Sequence, residues 1–168
     1  ISDHVMSDIS KVKKVLKNTE LMVRVNPINN LSSEEINEVI DRGADIVMLP
    51  MFKESHEVSK FIEIINKRAR ICLLLETSEA FNNIEKIIKN TGINEIHIGL
   101  NDLHLSMKKK FLFQLLSEGQ VEKLSQIFNR ESIDFGFGGI SKLGHGLLDS
   151  SLILSEHYRL NSKMVILS

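Results

Sequence analysis

Tryptophan is absent from this chain of 168 residues, and cysteine and tyrosine occur once each. A lone cysteine, Cys72, excludes an intramolecular disulfide framework and any multi-cysteine zinc site. Its place inside an apolar run suits a reducing, cytoplasmic setting. Long hydrophobic runs are also missing. The longest, such as Ile71–Leu75, fall far short of the ~20 apolar residues that span a bilayer, so no membrane partner is expected. No charged segment followed by an apolar one opens the chain, which speaks against a signal peptide. Charge of one sign is not in excess either: 21 Lys and Arg face 22 Asp and Glu, for a net charge of −1. With Lys108–Lys110 as the main basic cluster, electrostatically driven nucleic-acid binding has little support. Interspersed charges and 42% hydrophobic residues instead predict one globular domain over residues 1–168.

What is present is an alternation of two patterns. Short apolar runs occur at Leu21–Asn26, Ile46–Pro50, Ile71–Glu76, Ile96–Leu100, Phe135–Gly139 and Met164–Leu167. Near-continuous runs of this length, bounded by turn residues, read as strands buried on both faces. Between them, apolar residues recur at three- and four-residue spacing over Met6–Leu16, Ser33–Ile40, Glu57–Ile65, Ala80–Ile88, Phe111–Phe128 and Leu147–Tyr158, which predicts helices. Ser32 or Ser33 is available to cap the second helix, and Gly43 and Gly92 to terminate the second and fourth.

Strands alternating with helices imply right-handed βαβ units and a parallel α/β sheet. No G-x-G-x-x-G turn follows the first strand, which weakens a dinucleotide-binding sheet. The first four strands recur at roughly 25 residues, and chemistry-bearing residues sit at several strand ends. Both features favour a TIM (β/α)8-type barrel. About six strands are visible where a closed barrel has eight. The expectation is therefore an incomplete barrel lacking its first two strands and last helix, with a complete six-stranded open sheet as the alternative.

Glu76 ends the third run and Asp102 follows the fourth, one repeat apart. In a parallel sheet both carboxylates then share the C-terminal rim on neighbouring strands ~4.8 Å apart. Two hard oxygen ligands at that separation suit Mg²⁺ or Mn²⁺, whereas the competing reading has both acids capping the helices that follow. Arg24 lies within an apolar strand, where a guanidinium is costly unless paired. It serves either to anchor an anionic substrate or to form a structural ion pair. The segment FGFGGISKLGHG holds Gly136, Gly138, Gly139, Gly144 and Gly146, which either present backbone N–H groups to an anion or allow close packing. His104 and His145 are the histidines best placed for acid–base work, each equally readable as a polar loop residue. Glu156–Arg159 reads as surface or a subunit contact.

The ordered series Val23-Arg24-Val25-Asn26, Met48-Leu49-Pro50-Met51, Leu73-Leu74-Leu75-Glu76-Thr77 and Ile98-Gly99-Leu100-Asn101-Asp102-Leu103 resembles the HpcH/HpaI aldolase and citrate lyase β-subunit family. The resemblance implies a cytoplasmic pyruvate- or enolate-handling barrel, assembled as a trimer or hexamer. It implies Glu76 and Asp102 as ligands of a divalent cation, and Arg24 as the catalytic arginine that holds a 2-oxo acid. Asn101, Gly138 and Gly139 are expected to bind substrate through backbone amides. In the aldolase branch the cation stabilises a pyruvate enolate as a 4-hydroxy-2-oxo acid is cleaved or formed. Two departures stand out. Leu74 replaces the glutamine common two residues before the metal glutamate, which leans toward an acyl-CoA lyase of the citramalyl or malyl type. Leu100-Asn101 replaces the Pro-Ala common before the metal aspartate. The family's catalytic histidine belongs to the early barrel, so no histidine here inherits its role and the general base is unassigned. A non-catalytic barrel or fragment is the remaining alternative.

Overall fold

The computed structural model describes residues 4–140 and 148–167. In chain order its elements are α1 (Met6–Val15), β1 (Met22–Arg24), α2 (Ser32–Asp41), β2 (Ile46–Leu49), α3 (Ser55–Ile65), β3 (Arg70–Leu75) and α4 (Ser78–Ile87). There follow β4 (Glu95–Ile98), α5 (Leu100–Ser106), α6 (Gln114–Ser117), α7 (Gln120–Arg130), β5 (Asp134–Phe137) and α8 (Ser150–Arg159). The five strands are all parallel and stand in sequence order, β1 to β5. A doubly wound sheet reverses its order at a switch point; this one does not, and it forms an arc of a (β/α)8 barrel.

Strand periodicity divides the core in two. Val47, Leu49, Ile71, Leu73, Leu75, Ile96, Ile98, Phe135 and Phe137 alternate onto the outer face and belong to the large cluster built with the helices. The helices answer with residues three and four apart, such as Val58, Phe61 and Ile65 of α3 or Ala80, Ile84 and Ile87 of α4. Ile46, Met48, Cys72 and Leu74 alternate to the inner face and form a separate small cluster. Both faces are thus buried, which is why β2 and most of β3 read as continuous apolar runs, while β4 alternates Ile with buried Glu95 and His97. Among the described residues no helix is long and apolar enough to cross a membrane.

Several expectations need correction. The run Phe111–Phe128 is broken at Gly119, whose φ of +81° ends the single turn of α6 and starts α7. Ser32 does not cap α2; Leu31 holds that position, and the Ser32 hydroxyl accepts from the Asn29 amide at 2.8 Å. Gly43 directly follows the α2 cap residue Arg42, whereas Gly92 lies past the Ile88 cap of α4, after a further turn. Helix α5 starts at Leu100, where the sequence reads the end of the fourth strand, so Asp102 lies inside its first turn and Gly99, not Asp102, holds the cap position. The sixth apolar run pairs with β5 through two isolated parallel bridges, Gly136 to Met164 and Ile140 to Leu167. One side advances one residue more than the other between these bridges, and Gly139, at φ +99°, lies within the longer stretch. That mismatch works as a bulge does and prevents a continuous ladder.

Candidate active site

β3 delivers Glu76 to the rim. Alternation continues from Cys72 and Leu74 to Glu76, so its side chain follows the inner face one step past the strand. The carboxylate is nearly inaccessible, with the residue 3% exposed. Its Oε1 accepts a hydrogen bond from the Met51 amide at 3.0 Å. Met51 holds a left-handed φ of +55°, a conformation unusual for a non-glycine residue, and it aims its N–H at Glu76. The helix cap that competed for Glu76 is filled by its neighbour: the Thr77 hydroxyl accepts from the Ala80 amide and donates to the Phe52 carbonyl.

Asp102 stands in the first turn of α5, which starts directly after Gly99 at the end of β4. Gly99 makes the approach possible. A Cβ at that position would lie 3.1 Å from both Cβ and Oε2 of Glu76. Burial pushes the Glu76 pKa up; the Met51 amide opposes this, and the Asp102 charge and hydrogen bond reinforce it. The Arg24 charge draws it back down. Asp102 and Arg24 thus both act on the Glu76 carboxylate. Arg24 differs in one respect. It is exposed on β1, the edge strand of the described sheet, so the burial cost expected for it is not incurred.

Asn101 is exposed beside Asp102 on α5. Gly138 and Gly139 follow β5. A Cβ at Gly139 would meet Phe113 at 2.7 Å and one at Gly136 would meet the Met164 carbonyl at 2.1 Å, so these two glycines serve close packing. A Cβ at Gly138 would be 3.8 Å from Nε2 of His97. Gly144, Gly146 and His145 lie outside the described residues. His104 is buried with Nδ1 3.2 Å from the Leu100 carbonyl one helical turn back, a local structural contact. His157, expected at the surface, is buried; it stacks on Phe137 at 3.6 Å, and its Nδ1 meets the Ser162 hydroxyl. Arg159 beside it pairs with Glu122 and Glu156. Sequence reasoning missed Met51 and His97; the inward position of His97 was legible from strand alternation alone. Two clefts lie away from the rim, one of about 690 Å³ between α6–α7 and α8, the other of about 760 Å³ near the strands' N-terminal ends.

Sequential parallel strands each followed by a helix define the (β/α)8-barrel class, in which active sites sit on the βα loops at the C-terminal face. A sequence profile of the HpcH/HpaI aldolase/citrate lyase family matches residues 3–112, and the chain belongs to that family, a group of carbon–carbon lyases. Among solved structures it is similar to an HpcH/HpaI aldolase from Desulfitobacterium hafniense DCB-2. That likeness has a TM-score of 0.79 at 14% identity and covers 99% of this chain and 73% of that one. An HpcH/HpaI aldolase/citrate lyase family protein from Burkholderia cenocepacia J2315 gives 0.80 at 11% identity, over 98% and 74%. The citrate synthase SbnG gives 0.75 at 15% identity, over 98% and 71%. No match was found among curated proteins.

Proposed function

We propose that this chain acts on a 2-oxo acid as a divalent-metal-dependent lyase of the pyruvate aldolase type. The observation that carries the reading is the adjacency of Glu76 and Asp102 at the rim, with the Arg24 charge acting on the same carboxylate. This donor set fits a hard cation. Glu76 and Asp102 would offer a cation two carboxylates, its remaining oxygens coming from water and substrate. Mg²⁺ and Mn²⁺ accept such a shell. When bound, the cation supplies Lewis-acid polarisation of the substrate carbonyl. Glu76 is held for this role by the Met51 amide, which fixes one oxygen and leaves Oε2 beside Gly99. Arg24 pairs with the substrate carboxylate, for which its planar fork is suited. Backbone amides near Asn101, Gly138 and Gly139 complete the pocket.

Exchange of pyruvate methyl protons with D₂O, followed by NMR, tests this reading. The expected result is exchange with Mg²⁺, its loss in EDTA, and a fall on the order of 100-fold in Glu76→Gln. Unchanged exchange in that variant removes the assignment. A second reading has one observation in its favour: Leu74, two residues before Glu76, packs in the apolar inner cluster with Ile46, Met48 and Cys72. This suits a lyase acting on an acyl-CoA thioester. Thioester cleavage without exchange of free pyruvate is its signature.

A further inference from the structure

β4 carries one histidine into the inner face. His97 stands in register with Leu74 on one side and Gly136 on the other, one inner row below Glu76. It is 3% exposed, and its ring nitrogens are not among the enclosed atoms without a partner, which among the described residues are Oε1 of Gln120 and Nε2 of His157. Burial, with a smaller contribution from His157, pushes its pKa down to about 4. The ring is therefore neutral at pH 7 and offers one N–H donor and one acceptor.

His97 is the one imidazole on a largely apolar inner face of the described strands. Its inner-face neighbours Cys72 and Leu74 are apolar, and an apolar residue would suit this row better. The ring instead lies toward Gly138. Gly138, just past β5, has no side chain and Nε2 lies 3.8 Å from where its Cβ would be, whereas the space at Gly136 is taken by Met164. On the other side of the same rim row, Gly99 gives its space to the Glu76 carboxylate. Nε2 thus faces Gly138, which continues the rim row of Glu76 and Gly99.

We propose that His97 is a substrate-binding residue whose Nε2–H donates to an oxygen of the 2-oxo acid seated against Glu76 and Asp102. The inference rests on the pyruvate reading above and gives the site its inner wall.

The test uses the full chain with Mg²⁺ and pyruvate as the probe, comparing wild type, His97→Phe and His97→Gln by calorimetry and thermal melting. Imidazole ¹⁵N NMR of the wild type accompanies it. The expected outcome is a roughly tenfold loss of pyruvate affinity in His97→Phe, a melting temperature at or above wild type, and partial recovery in His97→Gln. The His97 Nε2 resonance should shift as pyruvate is added. Wild-type affinity in His97→Phe, or an imidazole resonance indifferent to pyruvate, overturns this inference alone. Absence of pyruvate binding in the wild type overturns the pyruvate reading as well. Should His97→Phe fail to fold, the wild-type resonance and His97→Gln decide.

Discussion

Glu76 is where local chemistry and backbone geometry meet most tightly, and much of its setting comes from residues with little or no side chain. Gly99 has an ordinary φ of −81°, so an alanine there meets no backbone strain. Its Cβ would instead press on Glu76 at 3.1 Å and on the Leu74 Cδ1 at 3.3 Å. Gly99→Ala should therefore cost about 1–3 kcal/mol of stability and weaken Mn²⁺ binding roughly tenfold by turning the carboxylate. Electron paramagnetic resonance titration of Mn²⁺ reads this directly, and unaltered affinity would remove Glu76 from the proposed ligand set. The acid pair itself was visible in the sequence because one βα repeat separates the two residues and parallel strands share a rim. The exposure of Arg24 was not visible, since an edge strand and a central one carry similar apolar residues. Met51 was hidden for a different reason: its contribution is a backbone amide turned by a left-handed φ, which no side-chain pattern encodes.

At the scale of elements, the weakest join is that between β5 and the run Met164–Leu167. Gly136 makes it possible, because any Cβ there would stand 2.1 Å from the Met164 carbonyl oxygen and 2.3 Å from its Cγ. A backbone atom cannot rotate aside. Gly136→Ala should push the run off the sheet and cost about 3 kcal/mol or more, measured by urea unfolding; a cost below 1 kcal/mol would mean that the run does not seat there. The helices α1 to α4 were legible because each shows several apolar repeats over ten or eleven residues. The start of α5 was not, since seven residues give barely two turns of signal and Leu100 continues the strand's apolar run. The division of α6 from α7 depends on the φ of a single glycine. Register between β5 and the last run depends on a one-residue mismatch that periodicity does not report.

Across the whole molecule, polar groups concentrate at the two ends of the sheet. At the N-terminal end Arg70 joins Glu20 at 2.9 Å to Glu95 at 2.8 Å, and Lys13 pairs with Asp45. At the C-terminal end lie the acid pair and Arg24. Between these ends, two neutral histidines flank β5: His97 on the inner face, and His157 stacked on Phe137 on the outer. Burial pushes both down to about 4 from an ordinary 6.5. The unfolded chain therefore binds more protons than the folded one between those values, and stability rises with pH across that window. It should fall as pH drops below about 6.5 and level off near 4. The full effect is on the order of 3 kcal/mol per histidine. Glu76 and Glu95, whose pKa values burial raises, act in the opposite direction and offset part of the loss at the acid end. Urea midpoints from pH 8 to pH 4 should show the decline, and His157→Asn should flatten it by about half while keeping a nitrogen near the Ser162 hydroxyl. A midpoint that stays level from pH 6.5 to pH 4 in the wild type would mean that both imidazoles take up protons in place, and that the packing on either side of β5 is open to water.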